Sequence, residues 1–543
     1  MNRSQILEDI RGNPKCPVMI IGGGINGAGT FRDLALQGVD ALLIEAGDFC
    51  SGASAASSHM AHGGIRYLEN GEFRLVREAV QERNRMIHNA PHLVRPLPTT
   101  IPIFRLVSGL LNAPLKFLGW LDRPAERGAL VIKIGLMLYD SYTRRQSSVP
   151  PHRFESRKEA LERFPCLNPA IRYAATYYDG LILSPERLTL EIILDAEAGE
   201  PGARALNYVS CLGMQDGEVL LRDEPTGESL RVCPQAIVNA SGAWIDATNR
   251  RLGLQTHYIS GTKGSHIVLD NLDLRRAIGE HEFFFENQDG RIVLILPLGE
   301  RVLVGTSDLP IEDPDAARCT CEEEDYLLGM IGRVFPEINV RREHIVFRFS
   351  GVRPLAYSSA KTAGQISRDH LIQADSLGGV PLYSLVGGKW TSYRLFSEQV
   401  TDKVLRFLNL PRRAGTESLR IGGGQGYEEQ KIPAVDSFLF KRYGTRVKEL
   451  QAYLSTGRNA ALKHRPDMSR REIGFIAEKE KVVHLDDLLL RRSMLAMLGE
   501  LNRPLLEEIN GILAEHLGWD PTRGQVEIER ALEILADRHG VIL

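Results

Sequence analysis

The sequence predicts an α/β protein with a Rossmann-like dinucleotide-binding domain, a β-rich second domain and a C-terminal domain made only of helices. Three observations support this fold class. A strand, glycine turn and helix occupy the region 18–45, strand-like runs dominate residues 255–345, and helical periodicity extends from about residue 432 to the end. Because the chain has 543 residues, which is too long for one hydrophobic core, we expect two or three domains.

The N-terminal unit has the order of a nucleotide-binding motif. An apolar strand at 18–21 leads into a glycine turn, a helix is predicted at about 25–37, and a second buried strand follows at 41–44. The turn has the spacing G-x-G-x-x-G, formed by Gly22, Gly24 and Gly27. Glycines at this spacing let backbone N–H groups approach a pyrophosphate at the helix N-terminus.

An acidic residue, Glu45, ends the second strand. A carboxylate at this distance from the glycines can accept a hydrogen bond from a ribose 2′-hydroxyl, and it disfavours a 2′-phosphate. The motif therefore favours FAD or NAD over NADP.

Composition narrows the class of protein. The chain is 43% hydrophobic and 25% charged, as expected for a globular protein. A net charge of −3 without a long basic run gives no indication of nucleic-acid binding. Seven scattered cysteines fit a reducing compartment, and Cys319 and Cys321 lack a second ligand pair, so no metal site is expected. With no apolar signal region and no uncharged run of 18 residues, we expect a cytoplasmic protein.

The order of motifs along the chain resembles that of a known family. GGGINGAG, a serine-rich loop at 48–58, HGGIRYLE and FRLVREAVQER follow in the order seen in FAD-dependent glycerol-3-phosphate dehydrogenases of the bacterial aerobic type. The likeness returns in KGSHIV, RVLVGTSD, GVRPL, SRDH and GGKWTSYR. The resemblance implies an FAD-binding domain of the glutathione-reductase/amino-acid-oxidase type.

The resemblance also implies a domain order in which the FAD-binding domain is built from three separate stretches. The expected segments are FAD-binding domain 16–102, a cap or membrane-associated segment 103–170, FAD-binding domain 171–250, a β-rich substrate domain 251–345, FAD-binding domain 346–408, a linker 409–431 and a helical domain 432–543. In the last of these, residues 471–493 have helical periodicity with Asp486 placed as an N-cap.

Cofactor-binding residues are carried over by position from the family motifs, with Val209 expected against the adenine. They are Gly22, Gly24, Ile25, Asn26, Gly27, Glu45, Ser57, Ser58, His62, Gly63, Gly64, Val209, Ala240, Gly242, Gly388, Lys389, Trp390 and Thr391.

Oxidation of an alcohol beside a phosphate needs cations for the phosphate and an acceptor for the hydroxyl proton. Arginine suits phosphate because its planar fork matches two oxygens. The residues expected at the substrate are Arg66, Tyr67, Arg353 and Arg368. Lys389 is expected to favour reduction of the flavin by its charge. For the proton, His266, His62 and a water held by an arginine are alternatives that the sequence leaves open.

Three positions depart from the family pattern, of which Ser307 in place of threonine is a mild change. His59 stands where relatives have lysine, which predicts a pH-dependent charge beside the cofactor, and Leu298 replaces a tryptophan. Residues 103–139 are also longer than their usual counterpart, apolar with interspersed basic residues, which fits either an interfacial membrane segment or a cap over the active site. These departures leave room for a polyol phosphate larger than glycerol 3-phosphate.

The resemblance implies oxidation of sn-glycerol 3-phosphate to dihydroxyacetone phosphate, with electrons passed from FAD to a membrane quinone. Alternatives are a dehydrogenase of another polyol phosphate, an FAD-dependent amine or amino-acid oxidase, and a flavin-binding protein without turnover. The implied location is the cytoplasm, with peripheral contact at the inner face of the cell membrane left open. The sequence does not define the oligomeric state, and a homodimer remains open.

Overall fold

The computed structural model describes residues 1–64, 72–105, 129–143, 149–287, 291–357, 370–427 and 437–543. Up to residue 105 the elements are α1 (Arg3–Gly12), β1 (Lys15–Ile21), α2 (Ile25–Leu36), β2 (Ala41–Ile44), β3 (Met60–Ala61), α3 (Phe73–Asn89) and β4 (Val94–Ile103). Between residues 129 and 251 they are α4 (Ala129–Thr143), β5 (Arg153–Ser156), α5 (Arg157–Arg163), β6 (Tyr173–Ile182), α6 (Pro185–Gly199), β7 (Arg204–Leu206), β8 (Val209–Gln215), β9 (Glu218–Asp223), β10 (Ser229–Asn239) and α7 (Ile245–Arg251).

The second half of the chain begins with strands and ends with helices. Up to residue 408 the elements are β11 (Ile259–Leu269), α8 (Leu272–Ile278), β12 (Glu282–Glu286), β13 (Ile292–Leu298), β14 (Arg301–Gly305), β15 (Leu309–Pro310), α9 (Cys321–Val334), β16 (Ile345–Ala356), β17 (Leu371–Leu377), β18 (Val380–Val386) and α10 (Tyr393–Leu408). The last elements are α11 (Ser437–Tyr443), α12 (Val447–Ser455), α13 (Arg470–Lys479), α14 (Leu485–Asp487, continued as a π-helical turn Leu488–Arg492), α15 (Arg503–Leu517) and α16 (Pro521–His539).

The first sheet has the strand order β17-β18-β10-β1-β2-β7, with the hairpin β8–β9 attached to β10. Strands β18, β10, β1, β2 and β7 are parallel, and β17 runs antiparallel at one edge. Helices α2, α6 and α10 share a core on one face, and α1 packs on the other. The predicted strand, turn, helix and strand of residues 18–45 lie at the centre of this sheet.

Two glycines explain the tight turn between β1 and α2. Gly22 has a φ of +111°, and a Cβ added there would lie 2.6 Å from the carbonyl oxygen of Ala240. A Cβ on Gly27 would lie 1.9 Å from the carbonyl oxygen of Gly22. Only glycine fits both positions, so the helix N-terminus stays close to the end of the strand.

The second sheet has the order β15-β11-β14-β13-β12-β4-β6-β3, with β16 paired to β11 and β5 paired to β6. Strands β4 and β6, which come from the segments 16–102 and 171–250 expected in the FAD-binding domain, lie in this second sheet. Ten residues of β4 pair with β6. The prolines of β4, at 96, 98 and 102, share one parity, so the intervening residues keep their N–H groups for pairing.

The C-terminal helices pack on one face of the second sheet, in a core that includes Leu296 and Phe347 from the strands and Leu485 from α14. The helical periodicity of residues 471–493 corresponds to two helices, and the prediction of Asp486 as an N-cap is wrong. Helix α13 ends at Lys479, and α14 begins after His484, where the carboxylate of Asp487 accepts the His484 N–H at 2.9 Å. An acid three residues after the N-cap residue completes a capping box, which displaces Asp486 from that role.

The glycine-rich stretch at 422–424 forms a buried 3-10 turn. Its N–H groups donate to carboxylates, Gly422 to Asp195 at 3.0 Å and Gly423 to Glu191 at 3.1 Å. These two N–H groups are therefore already bonded to anionic side chains and are not available to a phosphate. Among the helices that the structure describes, none is both long and apolar enough to cross a bilayer.

Candidate active site

The nucleotide turn places Glu45 beside the backbone of the glycine motif. Its carboxylate accepts the N–H groups of Gly23 at 2.7 Å and Gly47 at 2.9 Å. Burial raises the pKa of Glu45, and these two hydrogen bonds oppose that rise. The N–H of Val209 donates to the Glu45 carbonyl oxygen at 2.8 Å, which places Val209 next to it. Each carboxylate oxygen has lone pairs left for a ribose hydroxyl.

The serine-rich loop connects the two sheets. The hydroxyl oxygen of Ser54 accepts the N–H of Ile25 at 3.0 Å, and its carbonyl oxygen accepts the indole N–H of Trp390 at 2.9 Å. A Cβ added to Gly351 on β16 would lie 2.6 Å from the Cβ of Ala56, so the loop packs directly on that strand. The loop thus joins the N-terminus of α2 to the second sheet.

The Gly-Gly turn after β18 faces the N-terminus of α2. Asn26 donates from Nδ2 to the Gly387 carbonyl oxygen at 3.4 Å, and a Cβ added to Gly388 would lie 2.6 Å from that nitrogen. The Oδ1 atom of Asn26 is buried and has no hydrogen-bond partner among the described residues. Close backbone approach and a polar atom without a partner in the described chain both fit a bound dinucleotide.

The turn His62-Gly63-Gly64 is held from behind by a buried network that the sequence did not reveal. Asp179 accepts the Gly63 N–H at 2.8 Å and the Tyr139 hydroxyl at 2.9 Å, and Tyr139 accepts a hydrogen bond from Arg83. Burial raises the pKa of Asp179, while Arg83 and these donors lower it. A Cβ on Gly63 would lie 2.0 Å from the Tyr139 hydroxyl. The sequence signal that could have indicated this support is Asp179-Gly180 inside an otherwise apolar strand.

His266 lies on β11 at the edge of the serine-rich loop. Its Nε2 shares a hydrogen bond of 2.8 Å with the Ser58 hydroxyl, and its ring stacks on Phe349 with centroids 4.8 Å apart. Burial and the nearby charge of Arg353 lower the pKa of His266 to about 3. Its Nδ1 has no hydrogen-bond partner in the part of the chain that the structure describes. The imidazole is therefore neutral at ordinary pH.

Arg353 lies on β16, the strand next to β11. Its guanidinium donates to the Thr306 hydroxyl at 3.0 Å, the Ser307 carbonyl oxygen at 3.3 Å and the Asp308 carboxylate at 3.1 Å. A Cβ on Gly264 would lie 2.2 Å from the guanidinium, so the arginine crosses over this glycine. About 31% of its side chain is exposed, which leaves the group accessible to an anionic ligand.

Glu323 is hydrogen-bonded to the turn at Ser307, whose carbonyl oxygen accepts a hydrogen bond from Arg353. The carboxylate accepts hydrogen bonds from Lys263 Nζ at 2.7 Å, the Ser307 hydroxyl at 2.6 Å and the Ser265 hydroxyl at 2.8 Å. Although burial opposes it, these donors lower the pKa of Glu323. Neither Lys263 nor Glu323 was expected from the sequence, because an acid in the first turn of a helix usually only caps it.

The structure brings most of the predicted cofactor residues to one region, where α2, the serine-rich loop, the His62-Gly63-Gly64 turn and the turn after β18 meet. Thr391, for example, donates to the His62 carbonyl oxygen at 3.2 Å. Ala240 lies against Gly22 at the end of β10, and Gly242 follows with a φ of +61°. The predicted substrate residues Arg66, Tyr67 and Arg368 lie outside the described residues, as do 106–128 and 144–148 of the predicted cap.

The prediction that His59 supplies a pH-dependent charge beside the cofactor is wrong at ordinary pH. The side chain is fully buried and hydrogen-bonds through Nδ1 to the Ile182 carbonyl oxygen at 3.1 Å. Burial lowers the pKa of His59 to about 4. Since a lone buried imidazole is costly to charge, the residue stays neutral.

This burial makes stability depend on pH. His59 binds a proton below about pH 6.5 in the unfolded chain but only below about pH 4 in the folded chain. Between these pH values the unfolded state binds more protons, so the free energy of unfolding decreases as the pH falls. From pH 7.5 to pH 5 the free energy of unfolding should fall by about 2 kcal/mol more in the wild type than in His59→Asn. Asparagine tolerates the positive φ of this position. Urea unfolding at the two pH values measures the difference, and parallel losses would contradict the assignment.

Comparisons with known proteins agree with this architecture. Residues 17–394 match the family model of FAD dependent oxidoreductases, and residues 384–524 match that of the C-terminal domain of alpha-glycerophosphate oxidase. Glycerol-3-phosphate dehydrogenase of Synechocystis sp. is 34% identical over 559 residues, covering 96% of this chain and 97% of its own. D-erythritol 1-phosphate dehydrogenase of Brucella abortus is 29% identical over 499 residues, covering 88% and 94%.

A solved structure is similar over nearly the whole chain. Glycerol-3-phosphate dehydrogenase from Bacillus halodurans, complexed with FAD, has a TM-score of 0.74 at 24% identity and covers 98% of this chain and 97% of its own. This similarity confirms the predicted fold, and the family match confirms FAD as the cofactor. The chain therefore belongs to the FAD-dependent oxidoreductases and, within them, to the glycerol-3-phosphate dehydrogenase family.

Proposed function

We propose that the protein oxidises sn-glycerol 3-phosphate to dihydroxyacetone phosphate. The observation that carries this proposal is the position of Arg353, which is partly exposed on β16, two residues after the glycine on which the serine-rich loop packs. The relatives named for dehydrogenation of phosphorylated polyols support the choice of substrate class. When bound, FAD supplies the acceptor for the hydride that leaves the carbinol carbon.

Each predicted group then has a defined task. Glu45 and the N-terminus of α2 bind the ribose and diphosphate of the cofactor, with Gly22, Gly24 and Gly27 allowing close approach. Arg353 binds the substrate phosphate, and Lys389 supplies positive charge near the flavin. The predicted residues Arg66, Tyr67 and Arg368 are proposed to complete the substrate site.

We assign the substrate hydroxyl proton to His62. A pKa of about 3 makes His266 a poor proton acceptor, and its contact with Ser58 suits it to hold the loop. His62 is half-buried, and its carbonyl oxygen accepts the Thr391 hydroxyl at 3.2 Å. A neutral imidazole at this position can accept the proton as the hydride leaves.

The pH profile separates the two histidines. A base must be neutral to act, so kcat/KM should rise with pH on a limb that belongs to His62. His62→Gln should remove this limb and lower kcat by about a hundredfold, whereas His266→Gln should keep it. Retention of the limb in His62→Gln would assign the proton to another acceptor, such as a water held by an arginine.

Substrate choice is tested by comparing kcat/KM for phosphorylated polyols with an artificial electron acceptor. We expect sn-glycerol 3-phosphate to exceed D-erythritol 1-phosphate by at least about tenfold. D-Erythritol 1-phosphate is the alternative because a relative from Brucella abortus is named for its oxidation. A higher kcat/KM for D-erythritol 1-phosphate than for sn-glycerol 3-phosphate would make the four-carbon ester the substrate instead.

We propose a membrane quinone as the electron acceptor and a peripheral contact through α4. One face of this helix, with Ile132, Leu136 and Tyr139, is buried against α3 and β6. A second row, Leu130, Ile134 and Met137, is 48%, 52% and 59% exposed. Three large apolar side chains in one row beside exposed Lys133 fit an interfacial helix face.

Charge on this row should weaken membrane binding. We expect Ile134→Glu to reduce co-sedimentation with vesicles of anionic and neutral lipid by about tenfold, because burial of the apolar side chain is lost. Phe407→Glu, at a residue 46% exposed on α10, is the matched control and should bind as the wild type does. Equal binding by all three proteins would remove α4 as the contact.

A further inference from the structure

The segment that follows β2, residues 45–48, is hydrogen-bonded to the C-terminal helical domain. Asp48, three residues after Glu45, is 1% exposed and accepts two hydrogen bonds from Arg492, at 2.6 and 2.8 Å. Arg491 also donates to the same carboxylate, and Asn207 donates to it at 2.8 Å. Both arginines belong to the π-helical turn after α14, far from Asp48 in sequence.

The contact continues on the other side of the loop. The Tyr208 N–H donates to the Gly47 carbonyl oxygen at 2.8 Å, and the Tyr208 hydroxyl donates to Asp487 of the helical domain. Asn207 donates to the carbonyl oxygen of Lys481 at 2.9 Å. The segments that contain Gly47 and Tyr208 are therefore bonded to each other and to the helical domain.

The charges of this junction are balanced. Three carboxylates meet three guanidinium groups: Asp48, Asp486 and Asp487 with Arg491, Arg492 and Arg530. Burial alone would raise the pKa of Asp48, but Arg492 and Arg491 hold it well below its usual value. Buried ion pairs contribute little net stability compared with apolar packing. Their main effect here is therefore to fix the position of Asp48 relative to the helical domain.

The position of Asp48 affects Glu45 through Gly47, which lies between them in the sequence. The N–H of Gly47, adjacent to Asp48, donates to the Glu45 carboxylate at 2.9 Å, and this carboxylate is the group proposed for the ribose. A displacement of Asp48 would move Gly47 and remove one of the two N–H groups that orient the carboxylate.

We propose that Arg491 and Arg492 are positioning residues for the adenosine half of FAD, so that the helical domain sets cofactor affinity. The proposal rests on the assignment of Glu45 to the ribose. It gives the C-terminal domain a role in cofactor binding although the domain contributes none of the predicted cofactor residues.

The test measures the binding of FAD, and of ADP, which carries the adenosine and the diphosphate but no flavin, to protein stripped of its cofactor. Arg492→Lys should raise both dissociation constants by about fivefold or more. Arg442→Lys, which alters the Arg442–Glu472 pair inside the helical domain, should leave both within about twofold. Melting of the stripped proteins reports the loss of stability separately. If Arg492→Lys does not fold, Arg491→Lys takes its place in the test because it keeps the Arg492–Asp48 pair. Arg491→Lys should weaken ADP binding by about threefold.

Glu45→Gln distinguishes failure of this inference from failure of the proposed cofactor site. If Glu45→Gln weakens ADP binding but Arg492→Lys leaves it unchanged, the arginines are structural and the inference is overturned. If Arg442→Lys weakens ADP binding as much as Arg492→Lys does, the effect is one of general stability and the inference is again overturned. An unchanged ADP affinity in Glu45→Gln would overturn both the inference and the adenosine site.

Discussion

Replacing Arg353 by alanine is expected to lower kcat/KM for sn-glycerol 3-phosphate by about a thousandfold, equivalent to about 4 kcal/mol. The guanidinium crosses over Gly264 and is oriented by Thr306 and Asp308, so its donors are already arranged before a ligand binds. Preorganised charge of this kind is more effective than a solvated lysine, and Arg353→Lys should recover only part of the loss. Steady-state kinetics of the FAD-loaded variants give the values.

Arg348→Ala is the matched control, because Arg348 lies on the same strand and pairs with Glu324 instead. We expect its kcat/KM to remain within about threefold of the wild type, and both variants should retain FAD. A decrease of less than about tenfold in Arg353→Ala would remove this residue from the substrate site.

Replacing Gly27 by alanine is expected to abolish FAD binding, with a dissociation constant raised by more than about a hundredfold. The added methyl group would lie 1.9 Å from the Gly22 carbonyl oxygen, a backbone atom that cannot rotate away. The turn must then open, which withdraws the helix N-terminus from the diphosphate. The absorption spectrum of the purified protein measures the bound flavin directly.

Gly511→Ala in α15 is the control, since a Cβ there meets nothing within 4 Å. It should purify with a full complement of FAD. A Gly27→Ala protein with the same flavin content would show that the turn tolerates the methyl group, and it would place the diphosphate elsewhere.

The nucleotide turn could be predicted because its determinants are local. Gly22, Gly27 and Glu45 are close in sequence, and the role of each follows from its residue type: the glycines allow a tight turn, and the carboxylate accepts hydrogen bonds. The same holds for the capped helix α9, where Thr320 and Glu323 form a capping box. Helix α14 shows the limit of such local reasoning, because only the structure shows that His484 is the N-cap residue and that Asp487, not Asp486, completes the capping box.

Contacts between distant residues could not be predicted in this way. Asp179 and Tyr139 support the turn that contains Gly63, yet the two are 40 residues apart and each looks ordinary in sequence. Asp48 and Arg492 are 444 residues apart. The membership of β4 in the second sheet likewise depends on its partner β6, and nothing within β4 reveals that pairing.

The most direct test of the account is anaerobic addition of sn-glycerol 3-phosphate to the oxidised, FAD-loaded protein, followed by visible absorption. We predict that the flavin band bleaches in the wild type and that bleaching is about a thousandfold slower in Arg353→Ala. A band that persists with every polyol phosphate, but bleaches with an amine or amino acid, would contradict the account.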